Sequence, residues 1–342
     1  MTRSQITIDL GAFRRNVERM RRAAEPAELW AVVKADAYGH GAVDCGREAL
    51  GAGATALCVA TAQEGAELRE ALPGARVLVM SPLEPEEHGL ARDAELEVCV
   101  STPELPDGLP VHVKVDTGMG RFGMAPEEAL ALPRERVVGL MSHLATADEE
   151  DEAFARAQIE RFRDLAAEFP GVPAHLANSA ATLRLPDARF EAVRCGIALY
   201  GLSPFGDDPA AHGLEPVFAW RSHVALDKLL EPGTSTGYGR RFVAERPTRI
   251  GLVPVGYADG FRRGLTGTEV LVGSTRRRVL GTVSMDSFAV ELGEQRRGTP
   301  VTLLGDGVLA EEHARVLGTI NYEITCAIAR DSRRAERRLV RG

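Results

Sequence analysis

The sequence predicts an α/β protein with two parts, a parallel (β/α)8 barrel of the TIM-like kind followed by an antiparallel β domain. Three observations predict it. From about residue 28, eight short apolar, β-branched runs alternate with segments of helical periodicity, the pattern of a parallel sheet wrapped by helices. After Pro216 the pattern changes to short strands between Gly-rich turns, with few long helical stretches, as antiparallel sheets require. The 342 residues are 44% hydrophobic and 26% charged, enough chain for one large barrel and a second core.

Taken in order, the barrel strands are expected at 29–33, 55–60, 76–80, 97–100, 111–115, 137–142, 173–176 and 192–195. Helices are expected at 41–50, 62–71 and 149–169, the last capped by Asp148. Between Val100 and Val111 the ten residues STPELPDGLP carry prolines at 103, 106 and 110, and no helix fits there. The barrel is therefore expected to lack one outer helix after Val100. Strands of the second domain are expected at 218–226, 249–254, 269–272, 277–283, 287–290 and 300–304. Residues 5–10 form a leading strand that is assigned to this β domain, so the expected domains are 11–216 and 1–10 with 217–342. The Arg-rich segment 330–341 is expected to be a solvated tail.

Composition excludes several function classes. A net charge of −8 gives no global attraction to nucleic acid. No apolar run reaches the ~18 residues of a membrane span, and the N-terminus lacks the apolar stretch of a signal peptide. A cytoplasmic protein is the expectation. Five scattered cysteines, never spaced CxxC, and eight histidines without an HExxH pair argue against a disulfide framework or a metal site.

The basic residues are skewed: 41 Lys plus Arg include only three lysines, Lys34, Lys114 and Lys228. A guanidinium cannot lose its proton, attack a carbonyl or form an imine, whereas an amine can, so a chain this rich in arginine is expected to keep lysine where that chemistry is needed; a genomic codon bias with three surviving lysines is the alternative. Lys34 ends an apolar strand, at the barrel face where active sites form. Burial there would lower its pKa and free the amine.

The segment KADAYGHG containing Lys34 and Tyr38 resembles the pyridoxal-phosphate lysine motif of the alanine racemases. The resemblance continues in order through KVDTGMGRFGM (114–124), SHLATADE (142–149), HLANSAATL (175–183), VRCGIALYG (193–201), GYG (237–239), VGYADGFRRGL (255–265), VSMDSF (283–288) and INYEI (320–324). It implies the same two-part fold and an enzyme that interconverts L- and D-alanine with pyridoxal 5'-phosphate, supplying D-alanine for peptidoglycan.

Carried over residue by residue, the resemblance makes Lys34 the lysine covalently joined to the cofactor and Tyr38, Ser179, Gly196, Ile197 and Tyr322 the phosphate-binding set. His143 and Asn178 line the cofactor ring. Arg121 contacts the phenolic oxygen and also belongs to the substrate site. Arg194 faces the pyridine nitrogen; a donor-only guanidinium leaves that nitrogen unprotonated and makes the ring a weaker electron sink. Tyr238 is implied as the second base, on the opposite face of the substrate carbon from Lys34. A phenol with an ordinary pKa near 10 needs cationic neighbours to act as a base at neutral pH. The family places that tyrosine across a head-to-tail homodimer, with Tyr257, Met285 and Asp286 reaching the same substrate site. Lys114 resembles a lysine that the family often carbamylates, and Lys228 has no catalytic counterpart.

Departures are Ser284 where many members have Cys, and Arg262 where Pro is frequent. Broader amino-acid racemisation, a non-catalytic pyridoxal-phosphate barrel and a fold-related decarboxylase are the competing readings.

Overall fold

The computed structural model describes residues 2–342, which divide into two compact units, residues 13–205 and residues 2–12 with 206–342. The first unit is a closed barrel of eight parallel strands: β2 (Glu28–Val32), β3 (Ala56–Val59), β4 (Val77–Val79), β5 (Glu97–Val100), β6 (Val111–Lys114), β7 (Val137–Met141), β8 (Ala174–His175) and β9 (Ala192–Cys195), with β9 closing on β2. Five of the eight strands are buried at every position, which is why they read as unbroken apolar runs. The exceptions are the exposed Glu28 that opens β2, the partly buried Glu97 that opens β5 and the exposed Val138 in β7.

The expected gap is present: residues 101–110 contain no helix. Pro106 and Leu109 are buried there, the Pro106 carbonyl accepts from the Arg136 guanidinium at 2.7 Å, and the Asp107 carbonyl accepts from Arg92 at 2.9 Å. The helix expected at 149–169 is shorter, Ala153–Ala167, and Asp148 does not cap it; Asp151 accepts the Ala153 N–H instead.

The second unit holds a nine-stranded sheet in the order β11-β14-β17-β16-β15-β18-β10-β1-β19. Its strands are β1 (Gln5–Asp9), β10 (Phe218–His223), β11 (Leu226–Leu230), β14 (Thr248–Val253), β15 (Glu269–Val272), β16 (Thr275–Leu280), β17 (Phe288–Glu291), β18 (Pro300–Leu304) and β19 (Glu336–Val340); a separate pair joins β12 (Ser235–Thr236) and β13 (Phe242–Val243). The leading strand β1 does pair here, antiparallel to β10. Residues 218–226, read as one strand, are broken at Val224–Ala225 into β10 and the start of β11. The Arg-rich segment is corrected too: 336–340 is no solvated tail but strand β19, hydrogen-bonded parallel to β1. Lys228 lies exposed on edge strand β11, where a lysine blocks further strand pairing. Leu230, Ala244, Ile250, Leu280 and Ala289 form a buried cluster on this sheet, and Phe261 stacks on Phe288 with ring centroids 4.4 Å apart.

Candidate active site

Strand β2 ends at Val32, and the chain then does something L-residues rarely do. Ala35, Asp36, Ala37 and Tyr38 all have φ of 53–54°, a full left-handed turn immediately after Lys34. Such a conformation costs roughly 1–2 kcal/mol per residue, so other contacts must hold it. Glu64 accepts the Ala35 N–H at 2.7 Å and the Ala60 N–H at 2.8 Å. Asp36 accepts the Ala42 N–H at 2.8 Å, and the Ala37 N–H reaches the Val33 carbonyl at 2.8 Å. The turn leaves Lys34 half-buried at the C-terminal barrel face and packs Tyr38 beside Tyr200, centroids 4.9 Å apart. The Tyr38 hydroxyl lies against Gly196: a Cβ there would sit 2.5 Å from that oxygen, so only glycine admits it.

Ser179 is buried beside the same glycine, and its hydroxyl accepts the N–H of Gly196 at 3.0 Å and of Ala198 at 3.4 Å. The helix that Ser179 opens, Ser179–Arg184, is capped by the Asn178 side chain, which accepts the Ala181 N–H; its amide nitrogen has no partner among the described residues. The Ile197 N–H opens the turn Ile197–Tyr200 and so has no acceptor within it.

Lys34, Lys114, Arg121 and Arg194 form one cationic neighbourhood around His143. Burial, then the charges of Arg194, Arg121, Lys114 and Lys34, push His143 down to about 3. Burial and the cations Arg194, Arg121 and Lys34, opposed by Cys99, bring Lys114 down to about 8. Arg121 is exposed on a loop whose turn is fixed by Asp116, which accepts the N–H groups of Gly118, Met119 and Gly120.

Arg194 is buried and anchored inside the barrel. One arm donates to His175 Nδ1 at 2.8 Å and to the His175 carbonyl at 2.6 Å. The other donates to the carbonyls of Ser142 and Leu176 and lies 3.4 Å from His143 Nδ1. Its Nε–H is the one donor of the fork without a partner among the described residues. Since guanidinium only donates, His175 Nδ1 accepts, and a neutral His175 carries its proton on Nε2. That proton is donated to His112 Nδ1 at 2.8 Å, so His112 is protonated on Nε2 and donates to Glu97 at 2.9 Å. Arg76 closes the chain with 2.7 Å to the other Glu97 oxygen. The imidazoles sit against Trp30, 4.5 Å from His175 and 5.8 Å from His112, and Gly139 leaves the space that the His112 ring fills.

Burial lowers the pKa of His175 far, and that of His112 against the opposing pull of Glu97, so both stay neutral. Glu97 is raised by burial, but the hydrogen bonds of His112 and Arg76 outweigh this and bring it to about 2. The result is a polar wire from a buried cation to a buried carboxylate. Neither Glu64 nor the Glu97–His112–His175 wire was singled out from sequence. The available signal was ionisable residues embedded in otherwise apolar strands, EVCV, VHVK, AH and AVRC.

A pH dependence follows. His112, His143 and His175 bind protons more readily unfolded than folded, so barrel stability falls as pH drops below about 6.5. Three imidazoles give a slope of up to about 4 kcal/mol per pH unit once the unfolded forms are charged. Glu97 adds to the loss at still lower pH, from its ordinary range down through about 2. Denaturant unfolding of the purified protein at pH 7, 6 and 5 measures this; a flat profile would show the imidazoles are not held neutral.

The remaining sequence-derived candidates lie in the other unit. Tyr238 sits in a short turn after Gly237 and is 72% exposed; Met285 is 53% exposed, and Tyr257 is exposed as well. The Tyr238 carbonyl accepts from the Thr282 hydroxyl at 2.8 Å, and Gly237 has φ of 79° with the Thr282 backbone where a Cβ would stand. The Met285 N–H has no partner among the described residues, whereas the Asp286 carboxylate is taken by Arg334 at 2.6 Å. Tyr322 is half-buried in helix Asn321–Cys326. No group of three His, Cys, Asp or Glu able to hold a metal occurs among the described residues, and none of their helices is long and apolar enough to cross a membrane.

Residues 8–204 match the family model of the alanine racemase N-terminal domain, and residues 217–337 that of the C-terminal domain. Alanine racemase 1 of Bacillus subtilis is 40% identical, covering 94% of this chain and 90% of its own. The alanine racemase of Streptomyces coelicolor is 41% identical, covering 95% and 94%. Among solved structures, the biosynthetic alanine racemase of Pseudomonas aeruginosa superposes with a TM-score of 0.93 at 37% identity, covering 99% of this chain and all of its own. That of Bartonella henselae, described with covalently bound pyridoxal phosphate, gives 0.91 at 26% identity, covering 98% and 99%. With both family domains matched in order and full-length relatives near 40% identity, the chain belongs to the alanine racemase family.

Proposed function

We propose that Lys34 and Tyr238 are the two bases of the alanine racemisation catalysed by this pyridoxal-phosphate-dependent family, and that Tyr238 serves the site of a second copy of the chain. The observation that carries the reading is the left-handed turn after Lys34. A strained segment held by Glu64 and Asp36 persists where it positions a reactive group.

The barrel residues suit the cofactor. The Tyr38 hydroxyl meets a glycine with no room for a Cβ, beside the buried Ser179 hydroxyl and the Ile197 N–H, a set of small neutral donors suited to a phosphate. The Arg194 Nε–H is left for a ring nitrogen that must accept, and the surrounding cations suit an anionic group. When bound, pyridoxal phosphate supplies the covalent link to the amino group and the electron sink that acidifies the substrate Cα–H.

The protein groups do the rest. The Lys34 amine takes or returns the Cα proton on one face of the substrate, and the Tyr238 phenol does so on the other. Arg121 and the Met285 N–H bind the substrate carboxylate, and His143 and Asn178 flank the ring. Lys114, with its amine at about 8, is partly neutral at physiological pH and suited to carbamylation, which would set a negative group among these cations. The product D-alanine goes to peptidoglycan. The non-catalytic barrel reading is disfavoured because the chain also matches the C-terminal domain with Tyr238 in place.

The test mixes two inactive variants. Lys34→Arg and Tyr238→Phe, refolded or co-expressed together, give mixed dimers with one intact site each. Random pairing restores about a quarter of wild-type activity. Mixtures as inactive as the separate variants would show that both residues act within one subunit or that one is not catalytic.

A further inference from the structure

Four charged side chains from four separate segments meet behind Tyr257 and Met285. Asp259 is buried; it accepts the Gly256 N–H at 2.8 Å and the Arg334 Nε–H at 2.7 Å. The other arm of Arg334 donates to the Asp286 carboxylate at 2.6 Å. Arg3 donates to the Asp286 carbonyl at 3.1 Å and lies 3.7 Å from Asp259 and 3.9 Å from the Asp286 carboxylate. The loops that these charges grip are also joined to each other. The Tyr257 N–H reaches the Ser284 carbonyl at 3.1 Å and the Ala258 N–H the Met285 carbonyl at 3.0 Å, while Gly256 packs against both carbonyls with no room for a Cβ.

We propose that Arg334 is a positioning residue for substrate binding: it neutralises Asp286 next to the Met285 N–H and fixes the turn that presents that N–H to the substrate carboxylate. Asp286 is then part of the clamp and does not bind substrate. The inference rests on the reading of Met285 as a carboxylate donor. Its physical basis is charge. An unpaired Asp286 one residue from a carboxylate-binding N–H repels every α-amino acid, and a pair with Arg334 removes that repulsion. A bridging geometry explains the choice of arginine, since one planar guanidinium donates Nε–H to Asp259 and an Nη2–H to Asp286.

The test uses holoenzyme and steady-state kinetics with L-alanine. Arg334→Gln raises KM about 10- to 100-fold and lowers kcat less, and added salt reduces the defect because it screens the exposed Asp286. Asp286→Asn in that background restores most of the KM, a coupling between the two positions that loss of loop order alone does not give. Asp286→Asn alone leaves Arg334 with surplus positive charge and lowers KM. Equal, salt-insensitive KM defects in the single Arg334→Gln and the double variant overturn the charge role. Unaltered KM in both shows instead that Met285 does not meet the substrate carboxylate. If Arg334→Gln does not fold, Asp286→Asn decides: a raised KM means that Asp286 itself binds substrate, and the proposal fails.

Discussion

Lys34→Arg is expected to fold, to lose covalent cofactor attachment and to lose at least about 10³-fold in alanine racemisation. The substitution keeps the positive charge and much of the length, so the cationic neighbourhood shared with Lys114, Arg121 and Arg194 is preserved. What disappears is the ability to shed a proton, and with it both the covalent link and the proton transfer. The left-handed turn is held by Glu64 and Asp36 through main-chain N–H groups of Ala35 and Ala42, which the substitution leaves in place. Loss of function therefore reports on the amine alone. The measurement is the visible absorbance of the purified variant with added pyridoxal phosphate, together with a chiral assay of L-alanine. A yellow variant that keeps its cofactor through borohydride reduction and dialysis would mean that another amine makes the link, and Lys114 would be the one to examine.

Much of this arrangement was legible in the sequence, for identifiable reasons. Parallel barrel strands are buried on both faces, so VHVK and AVRC announce themselves as short apolar runs, and the ten-residue, Pro-rich passage after Val100 announced the missing helix. Lys34 stood out because arginine dominates elsewhere. Strand β19 did not, because ERRLV is mostly charged and becomes a strand only through its ladder with β1, more than 300 residues earlier in the chain. Likewise the left-handed turn is invisible locally. Alanine and tyrosine have no preference for positive φ, and Glu64, which secures it, lies 29 residues downstream. The imidazole wire was missed for the same reason: each member sits on a different strand, and only barrel closure makes them neighbours. Sequence reports local pattern well and tertiary compensation poorly.

Tyr238→Phe is expected to slow racemisation in both directions by about 10²- to 10⁴-fold while leaving one half of the chemistry intact. The ring and its packing are kept, and the backbone at this position is fixed independently of the hydroxyl. Gly237 at φ 79° abuts the Thr282 main chain, and the Thr282 hydroxyl donates to the Tyr238 carbonyl. With the ring 72% exposed on its own unit, the hydroxyl makes no contact on which folding depends. Racemisation needs a proton removed on one face of the substrate carbon and returned on the other, so losing either base blocks net turnover from both antipodes. Exchange is different, because the Lys34 amine can still remove a proton and restore it on its own face. In deuterium oxide the variant should therefore incorporate deuterium into one antipode of alanine without inverting it, and leave the other antipode unlabelled. Proton NMR of each antipode separately reads this directly. Equal labelling of both would mean that a single base reaches both faces, and Tyr238 would then belong to substrate binding and not to proton transfer.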